Sequence, residues 1–321
     1  MTRLDDLNPM QRYLVHEFVE DYEDGLLSRR GMVGRVLKIT GGVAAAASVL
    51  TALGVQPGGA QESTVPMPDG PQSPFSVAAD DPRVVATEVS FPGGDGETVM
   101  AYQAAPAPGS ATPTAAGPLP LILICHENRG LNDHIRDVAR RFAVNGYLAC
   151  ALDLLSREGG TAAIEDPADV PAILTDGDPA RHVADFQAAI AWYGTGDAAD
   201  LNRIGMIGFC FGGGITWRSA TAIPELKAAV PFYGPPPPLE DVPNIQAAVL
   251  GVYSDDPGDG ANEGRDDLEA ALTDAGVTFQ INVYPNSQHA FHNDTGQRYA
   301  EEAATAAWND SLAWFAEYLV A

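Results

Sequence analysis

From about residue 82 onward, short apolar runs alternate with segments whose apolar residues recur every three or four positions. "VVATEVSF" and "TVMAYQAAP" flank the turn sequence "PGGDGE", which predicts a β-hairpin. "LPLILICHE" is a continuous apolar run, as in a strand buried on both faces of a parallel sheet. "LNDHIRDVARRFAVNG" spaces Ile135, Val138, Phe142 and Val144 along one side of a helix that ends at Gly146. The alternation continues: strand "YLACALDLL", helix "DPARHVADFQAAIAWYG" with Val183, Phe186, Ile190 and Trp192 facing a core, strand "RIGMIGFC", helix "GGGITWRSATA". Strands "LKAAVPFYG" and "AAVLGVYS", helix "RDDLEAALTDAGV", strand "TFQINVYP" and a long helix over 300–319 complete it. Strands alternating with helices give βαβ units, hence an α/β fold: a mostly parallel twisted sheet with helices on both faces.

The first 81 residues break this pattern. Residues 1–27 are polar and acidic, as in "HEFVEDYEDG". Ser28, Arg29 and Arg30 precede Gly31, Met32 and Val33, and Arg35 and Lys38 lead into small apolar residues over 39–53. An Arg pair before a short Ala- and Gly-rich stretch predicts a twin-arginine export signal, or an anchor, over 1–60. The Tat export machinery is then a partner and the location is extracytoplasmic; the alternative is a cytoplasmic amphipathic helix with a chance Arg pair. "GGAQ" at 58–61 is the candidate cleavage site, residues 61–81 read as a Pro- and Ser-rich linker, and one catalytic domain spans 82–321.

Charge narrows the partners. Lys and Arg number 18 and Asp and Glu 43, for a net charge of −25. Such a surface repels nucleic acid and anionic membranes. The acidity has two readings: a genomic preference for Arg, Asp and Glu, or, as a hypothesis, adaptation to high salt. The three cysteines, Cys125, Cys150 and Cys210, lie in or beside apolar runs and form no disulfide framework. The oligomeric state is not legible.

The chemistry centres on "GFCFGGG". Gly208-Phe209-Cys210-Phe211-Gly212 has the spacing of a nucleophile elbow with Cys in the central place, where a buried strand turns into a helix. The helix N-terminus is expected to lower the thiol pKa, and the Phe211 N–H to serve as an oxyanion donor. Of the six histidines, His16 lies in the leader and His126 ends a strand. His134 and His182 fall on helices, where exposure is expected. His289, on the loop after "TFQINVYP", is placed for the base, with His292 its rival. The orienting acid should follow the strand ending near Tyr253, which leaves Asp255, Asp256 and Asp259. Glu127, in "HENRG", follows a buried strand and lies close to the nucleophile in such a fold. Cys125, His126 and Glu127 make a poor metal site, because consecutive residues at a strand end point to opposite faces.

Taken together, "HENRGLNDHIRDVARRFAVNGYLACALDLLSREGG", "IGMIGFCFGGG", "VLGVYSDD" and "YPNSQHAFHND" resemble the dienelactone hydrolase family of α/β-hydrolases, from about residue 85 to the C-terminus. The resemblance implies the α/β-hydrolase fold, Cys210 as nucleophile and His289 rather than His292 as base. It implies Glu127 as a carboxylate that contacts the resting thiol and accepts its proton, and the Asn128 N–H as second oxyanion donor. The family's place for the acid holds Pro257 here, so Asp256 and Asp259 both stay open, and the Asp-Pro pair favours Asp256. Arg157 matches one of the two arginines that hold a substrate carboxylate; the place of the other holds Asn293.

The expected activity is hydrolysis of a small-molecule carboxylic ester or lactone through a thioacyl-enzyme, with a Cys-His-Asp triad and no cofactor or metal. The alternatives are a peptidase or acyltransferase on the same fold, and a catalytically silent binding protein.

Overall fold

A computed structural model of the chain describes residues 4–7, 9–23, 25, 27–55, 68–110 and 117–320. The candidate cleavage site at 58–61 and the first part of the linker, 61–67, lie outside the described residues. Three helices come first: α1 (Pro9–Glu23), α2 (Arg29–Thr40) and α3 (Val43–Ala52). The hairpin strands β1 (Val84–Pro92) and β2 (Thr98–Pro106) follow, then β3 (Leu119–Cys125), α4 (Asp133–Val144) and β4 (Leu148–Asp153). Next are α5 (Val170–Asp176), α6 (Pro179–Tyr193), β5 (Ala199–Phe209), α7 (Phe211–Ala222) and β6 (Leu226–Phe232). The chain ends with β7 (Ala248–Ser254), α8 (Arg265–Ala275), β8 (Phe279–Tyr284) and α9 (Glu301–Leu319).

The eight strands form one sheet in the order β1-β2-β4-β3-β5-β6-β7-β8. The hairpin β1–β2 and the pair β2–β4 are antiparallel, and every other pairing is parallel. All six residues of β4 and six of the seven in β3 are buried, as the continuous apolar runs require of central strands. The outer strands β1 and β8 are mostly exposed or half-buried.

Helices cover both faces. In β5, Gly205 lies beside Phe315 of α9, and Gly208 lies beside Thr216 of α7. Positions an odd number apart point to opposite faces of a strand, so α9 and α7 lie on opposite sides. Phe142 of α4 joins α9 on its side, with ring centroids 4.8 Å from Trp308 and 5.7 Å from Phe315. Asn132 caps α4 by accepting the Ile135 N–H at 3.1 Å.

His134 and His182 are buried, not exposed as their helical positions suggested. Their helices face the sheet, and polar partners satisfy the rings. His134 Nδ1 lies 2.7 Å from Asp294 Oδ1, and His182 Nε2 donates to the Leu174 carbonyl at 3.0 Å. Asp294 also binds Arg141, at 2.7 Å, which in turn holds Asp137 at 2.6 Å.

The amino-terminal segment departs most from its reading as a polar leader. Val15, Phe18, Val19 and Tyr22 follow helical spacing on α1 and pack with Met32 and Val36 of α2 and Val49 and Leu50 of α3. This is a small core separate from that of the sheet domain. The apolar stretch over 39–53 is divided between α2 and α3, with Gly41 at the break in the left-handed conformation, φ 72°. Among the described residues no single helix is long and apolar enough to cross a membrane. The pair α2 and α3 meets that test by length and composition, bent by 112°.

Candidate active site

The candidate site lies at the carboxyl ends of β3, β5, β6 and β7 and on the loop after β8. This is the end of a parallel sheet where ligands bind in open α/β folds. Cys210 stands between the last residue of β5 and the first of α7 with φ 57° and ψ −120°. A non-glycine residue rarely adopts that conformation, and holding it costs about 1–3 kcal/mol. The flanking glycines make it possible. A Cβ on Gly208 would lie 2.2 Å from the Gly212 carbonyl oxygen, and one on Gly212 would lie 2.4 Å from that of His126. The Cys210 N–H donates to the Phe232 carbonyl at 3.0 Å, which ties the turn to β6. Phe211 is the first residue of α7, where a backbone N–H has no acceptor within the helix.

His289 reaches the same place from the loop after β8. Its Nδ1 lies 2.8 Å from Asp259 Oδ1. Asp259 is buried and also accepts from Ser254 Oγ at 2.6 Å and the Ala261 N–H at 2.9 Å. Burial works against the Asp259 charge, but His289, Ser254 and Ala261 outweigh it and hold the carboxyl below its usual range. Burial likewise opposes a charged His289, yet Asp259 and Glu20 hold its pKa well above the ordinary imidazole value.

The structure therefore pairs His289 with Asp259 and not with Asp256, the acid that the Asp-Pro pair favoured. Asp256 is half-buried in the turn and accepts the Gly258 N–H at 2.8 Å. Asp255 is exposed and braces the histidine loop, accepting from the N–H groups of Asn286 and Ser287 at 3.0 Å each. The extra residues of the turn carry Asp259 back under the sheet end, a path that local spacing does not reveal.

The rival histidines serve packing. His292 stacks on Phe209 with centroids 5.1 Å apart, and burial holds its pKa well below normal. Both ring nitrogens of His126 are committed: Nδ1 lies 2.7 Å from the Glu127 carbonyl oxygen, and Nε2 accepts the Leu154 N–H at 3.1 Å.

Glu127 lines the cleft beside Cys210, but its carboxylate is turned to other partners. Oε1 accepts from Tyr233 Oη at 3.2 Å and Oε2 from Asn293 Nδ2 at 2.6 Å. Arg157 is not brought to the cleft. Its guanidinium is held by Asp185 at 2.5 Å and Asp95 at 2.7 Å, and these two carboxylates fix its position here.

The residues that sequence reasoning missed come from α1. Tyr13 Oη lies 3.0 Å from Cys210 Sγ, and both Glu17 carboxylate oxygens lie 3.5 Å from the sulfur. Glu17 Oε1 is also 3.5 Å from His289 Nε2, and Glu17 Oε2 accepts from the Asn128 side-chain amide. Farther along the helix, Glu20 pairs with Arg298 at 2.5 Å and Asp21 pairs with Arg129. Glu17, rather than Glu127, thus holds the place beside the thiol. A signal was present: positions 13, 17, 20 and 21 share one helical face.

The thiol responds to this company. Cys210 is 2% exposed, and burial and the Glu17 charge push its pKa up to about 12. Burial raises the Glu17 carboxyl to about 8. This overrides the lowering expected from the α7 N-terminus, because a desolvated thiolate beside a carboxyl group is costly. The donor atoms of Glu17, Cys210 and His289 lie within 4.8 Å of one another. Around them is a cleft of about 520 Å³, lined also by Glu127, Asn128 and Arg298.

Residues 109–319 match the model of the dienelactone hydrolase family. Several curated relatives carry the name "Putative carboxymethylenebutenolidase". The one from Methylorubrum extorquens is 36% identical over 263 residues, covering 77% of this chain and 86% of the relative. The one from Escherichia coli is 33% identical over 256 residues, covering 75% and 90%. Among solved structures, a "Putative Dienelactone Hydrolase" from Klebsiella pneumoniae superposes with a TM-score of 0.66 at 35% identity, over 73% of this chain and 99% of that one. A dienelactone hydrolase-like promiscuous phosphotriesterase from metagenomic libraries gives 0.64 at 26% identity, over 74% and 99%.

Proposed function

Because the chain belongs to the dienelactone hydrolase family of hydrolases, we propose that it cleaves a carboxylic ester or lactone with Cys210 as nucleophile, through a thioacyl-enzyme. One observation carries this reading: the strained Cys210 shares a cleft with a histidine that Asp259 holds at 2.8 Å.

The proton of the Cys210 thiol passes to His289 Nε2, or to Glu127 once that carboxylate turns inward. Sulfur attacks the substrate carbonyl carbon, and the carbonyl oxygen becomes an anion held by the backbone N–H groups of Phe211 and Asn128. Collapse breaks the C–O bond, and the alcohol leaves with the proton returned to it; from a lactone the alcohol stays attached to the acyl group. His289 then takes a proton from water. The hydroxide attacks the thioester, the acid is released, and the sulfur regains a proton. Asp259 keeps the imidazole in the tautomer with hydrogen on Nδ1 and stabilises its cation.

The test is intact-mass and peptide analysis of protein quenched in acid during turnover of an aryl acetate. An acetyl group on Cys210, absent in C210A, is expected together with loss of hydrolysis. Full hydrolysis by C210A overturns the reading.

The Arg29–Arg30 pair and the apolar residues over 39–53 support an export signal within 1–60, ahead of the hydrolase domain. Cell fractionation tests it. The chain should reach the extracytoplasmic fraction and stay in the cytoplasm when both arginines are changed to Lys; an unchanged distribution overturns the export reading.

A further inference from the structure

The helix that faces the thiol belongs to none of the matched region. Residues 109–319 carry the family match, whereas α1 ends at Glu23. Yet α1 meets that region through four side chains on one stripe. Tyr13 and Glu17 reach Cys210, Glu17 also reaches His289 and Asn128, Glu20 meets Arg298, and Asp21 meets Arg129. The opposite stripe of α1 is packed with α2 and α3. The helix is therefore clamped from both sides, with acidic residues toward a basic-rimmed cleft and apolar residues toward its own small core.

A carbonyl compound cannot reach the sulfur in this arrangement. Attack requires the substrate carbon within about 3–3.5 Å of the sulfur. Glu17 and Tyr13 hold that space, at 3.5 and 3.0 Å. The Glu17 carboxyl also lies against His289 Nε2, the nitrogen that must take up the thiol proton in the mechanism above.

We propose that the catalytic cleft is a docking surface for an acidic helix and that α1 is its occupant within the same chain, a plug that keeps Cys210 latent until it leaves. The inference rests on the reading of Cys210 as nucleophile. Tethering supplies the occupancy: a segment joined to its site acts at an effective concentration of order millimolar, so a modest intrinsic affinity suffices. Arg35 of α2 strengthens the hold by binding Asp169 and the carbonyl of Ala168, a residue of the cleft lining, at 2.6 Å each. The plug precedes the Arg29–Arg30 pair, so a cut anywhere between α3 and the hydrolase domain separates plug from enzyme. The same leader would then address the chain and silence it.

The experiment compares full-length wild type with two variants. Glu20→Arg with Asp21→Arg sets like charges against Arg298 and Arg129; Arg35→Glu opposes Asp169 and lies away from the thiol. Circular dichroism confirms folding, and the readout is the rate of Cys210 alkylation by iodoacetamide, mapped by peptide mass, beside turnover of an aryl ester panel. If the cleft is open only a small fraction of the time, labelling rises about tenfold or more on release. A rise under about threefold in both variants overturns the plug. Faster labelling with faster ester turnover upholds it. Faster labelling, with no hydrolysis by wild type or variants, upholds the plug and overturns the proposed function. Faster labelling with turnover below a measurable wild-type rate overturns the plug and makes α1 a contributor to catalysis.

Discussion

Glu17 sets both carboxylate oxygens 3.5 Å from the sulfur of Cys210, across 193 residues of sequence. A carboxylate in that position makes the contact with the resting thiol that the family resemblance assigns to Glu127. Here the group comes from a helix that precedes the hydrolase domain. The thiol pays no electrostatic advantage from its helix terminus while that neighbour is present, and it stays protonated at neutral pH.

The first prediction concerns the acid of the proposed triad. Asp259→Asn leaves His289 without its carboxylate and frees the imidazole to take the wrong tautomer. The expected loss in kcat is on the order of 10³–10⁴-fold, by analogy with serine hydrolases. Asp256→Asn changes only a turn and should leave kcat/KM within about twofold. Steady-state kinetics on an aryl ester checks both; equal losses would return Asp256 to the site.

The second is a pH dependence. The docked Glu17 carboxyl has its pKa raised to about 8 from an ordinary 4.5, so the docked helix binds a proton more tightly than the free one. Docking is therefore strongest below about pH 4.5 and weakens as pH rises toward 8, beyond which the effect is constant. Cys210, His289, Tyr13, Glu20, Asp21 and Glu127 also face this place. Their shared titration is removed by comparing wild type with Glu17→Gln. The ratio of wild-type to variant Cys210 alkylation should climb between pH 5 and 8, by about tenfold or more. A flat ratio would show that Glu17 does not govern docking.

The third concerns Arg157. Its guanidinium is clamped by Asp95 and by the fully buried Asp185. Arg157→Ala strands the Asp185 charge and should cost roughly 3 kcal/mol. For a domain of this size that lowers Tm by about 6–12 °C. KM for an ester bearing a carboxylate should stay unchanged. A raised KM with unchanged Tm would place Arg157 in substrate binding instead.

The fourth is acid sensitivity. Asp294 is buried, and His134, Arg141 and the Ser73 N–H hold its carboxyl well below the usual range despite the burial. A depressed carboxyl contributes stability above its unfolded pKa of about 4, and that contribution is lost as pH falls through the folded value. Asp294→Asn should therefore lower stability by about 3 kcal/mol at pH 7 and flatten the decline in Tm at acid pH. Parallel Tm–pH curves for wild type and variant would refute it.

The strand–helix alternation from Val84 to Leu319 was legible because burial imposes periods of 2 and 3.6 on sequence, and continuous runs such as "LPLILIC" occur only where both faces are covered. That Cys210 and His289 meet at one end of the sheet was legible because a strained elbow demands Gly208 and Gly212, and because a histidine on the loop after the last strand returns to that end. The choice between Asp256 and Asp259 was not, since a turn of a few residues can return either carboxylate to His289 and only the path of the backbone selects one. The partners of Arg157 were equally hidden, because a guanidinium goes to whichever carboxylates the fold brings near.

Sequence alone determined that this chain is an α/β protein with an elbow cysteine, a late histidine and an acidic, Arg-paired amino-terminal segment, because each of these is written in residues close together. Tertiary structure alone decided which acid meets the histidine, that Asp95 and Asp185 hold Arg157, and that α1 returns over some 190 residues to lie against the thiol it precedes. Those are long-range pairings, and local spacing holds no record of which distant charge a folded chain will bring into contact.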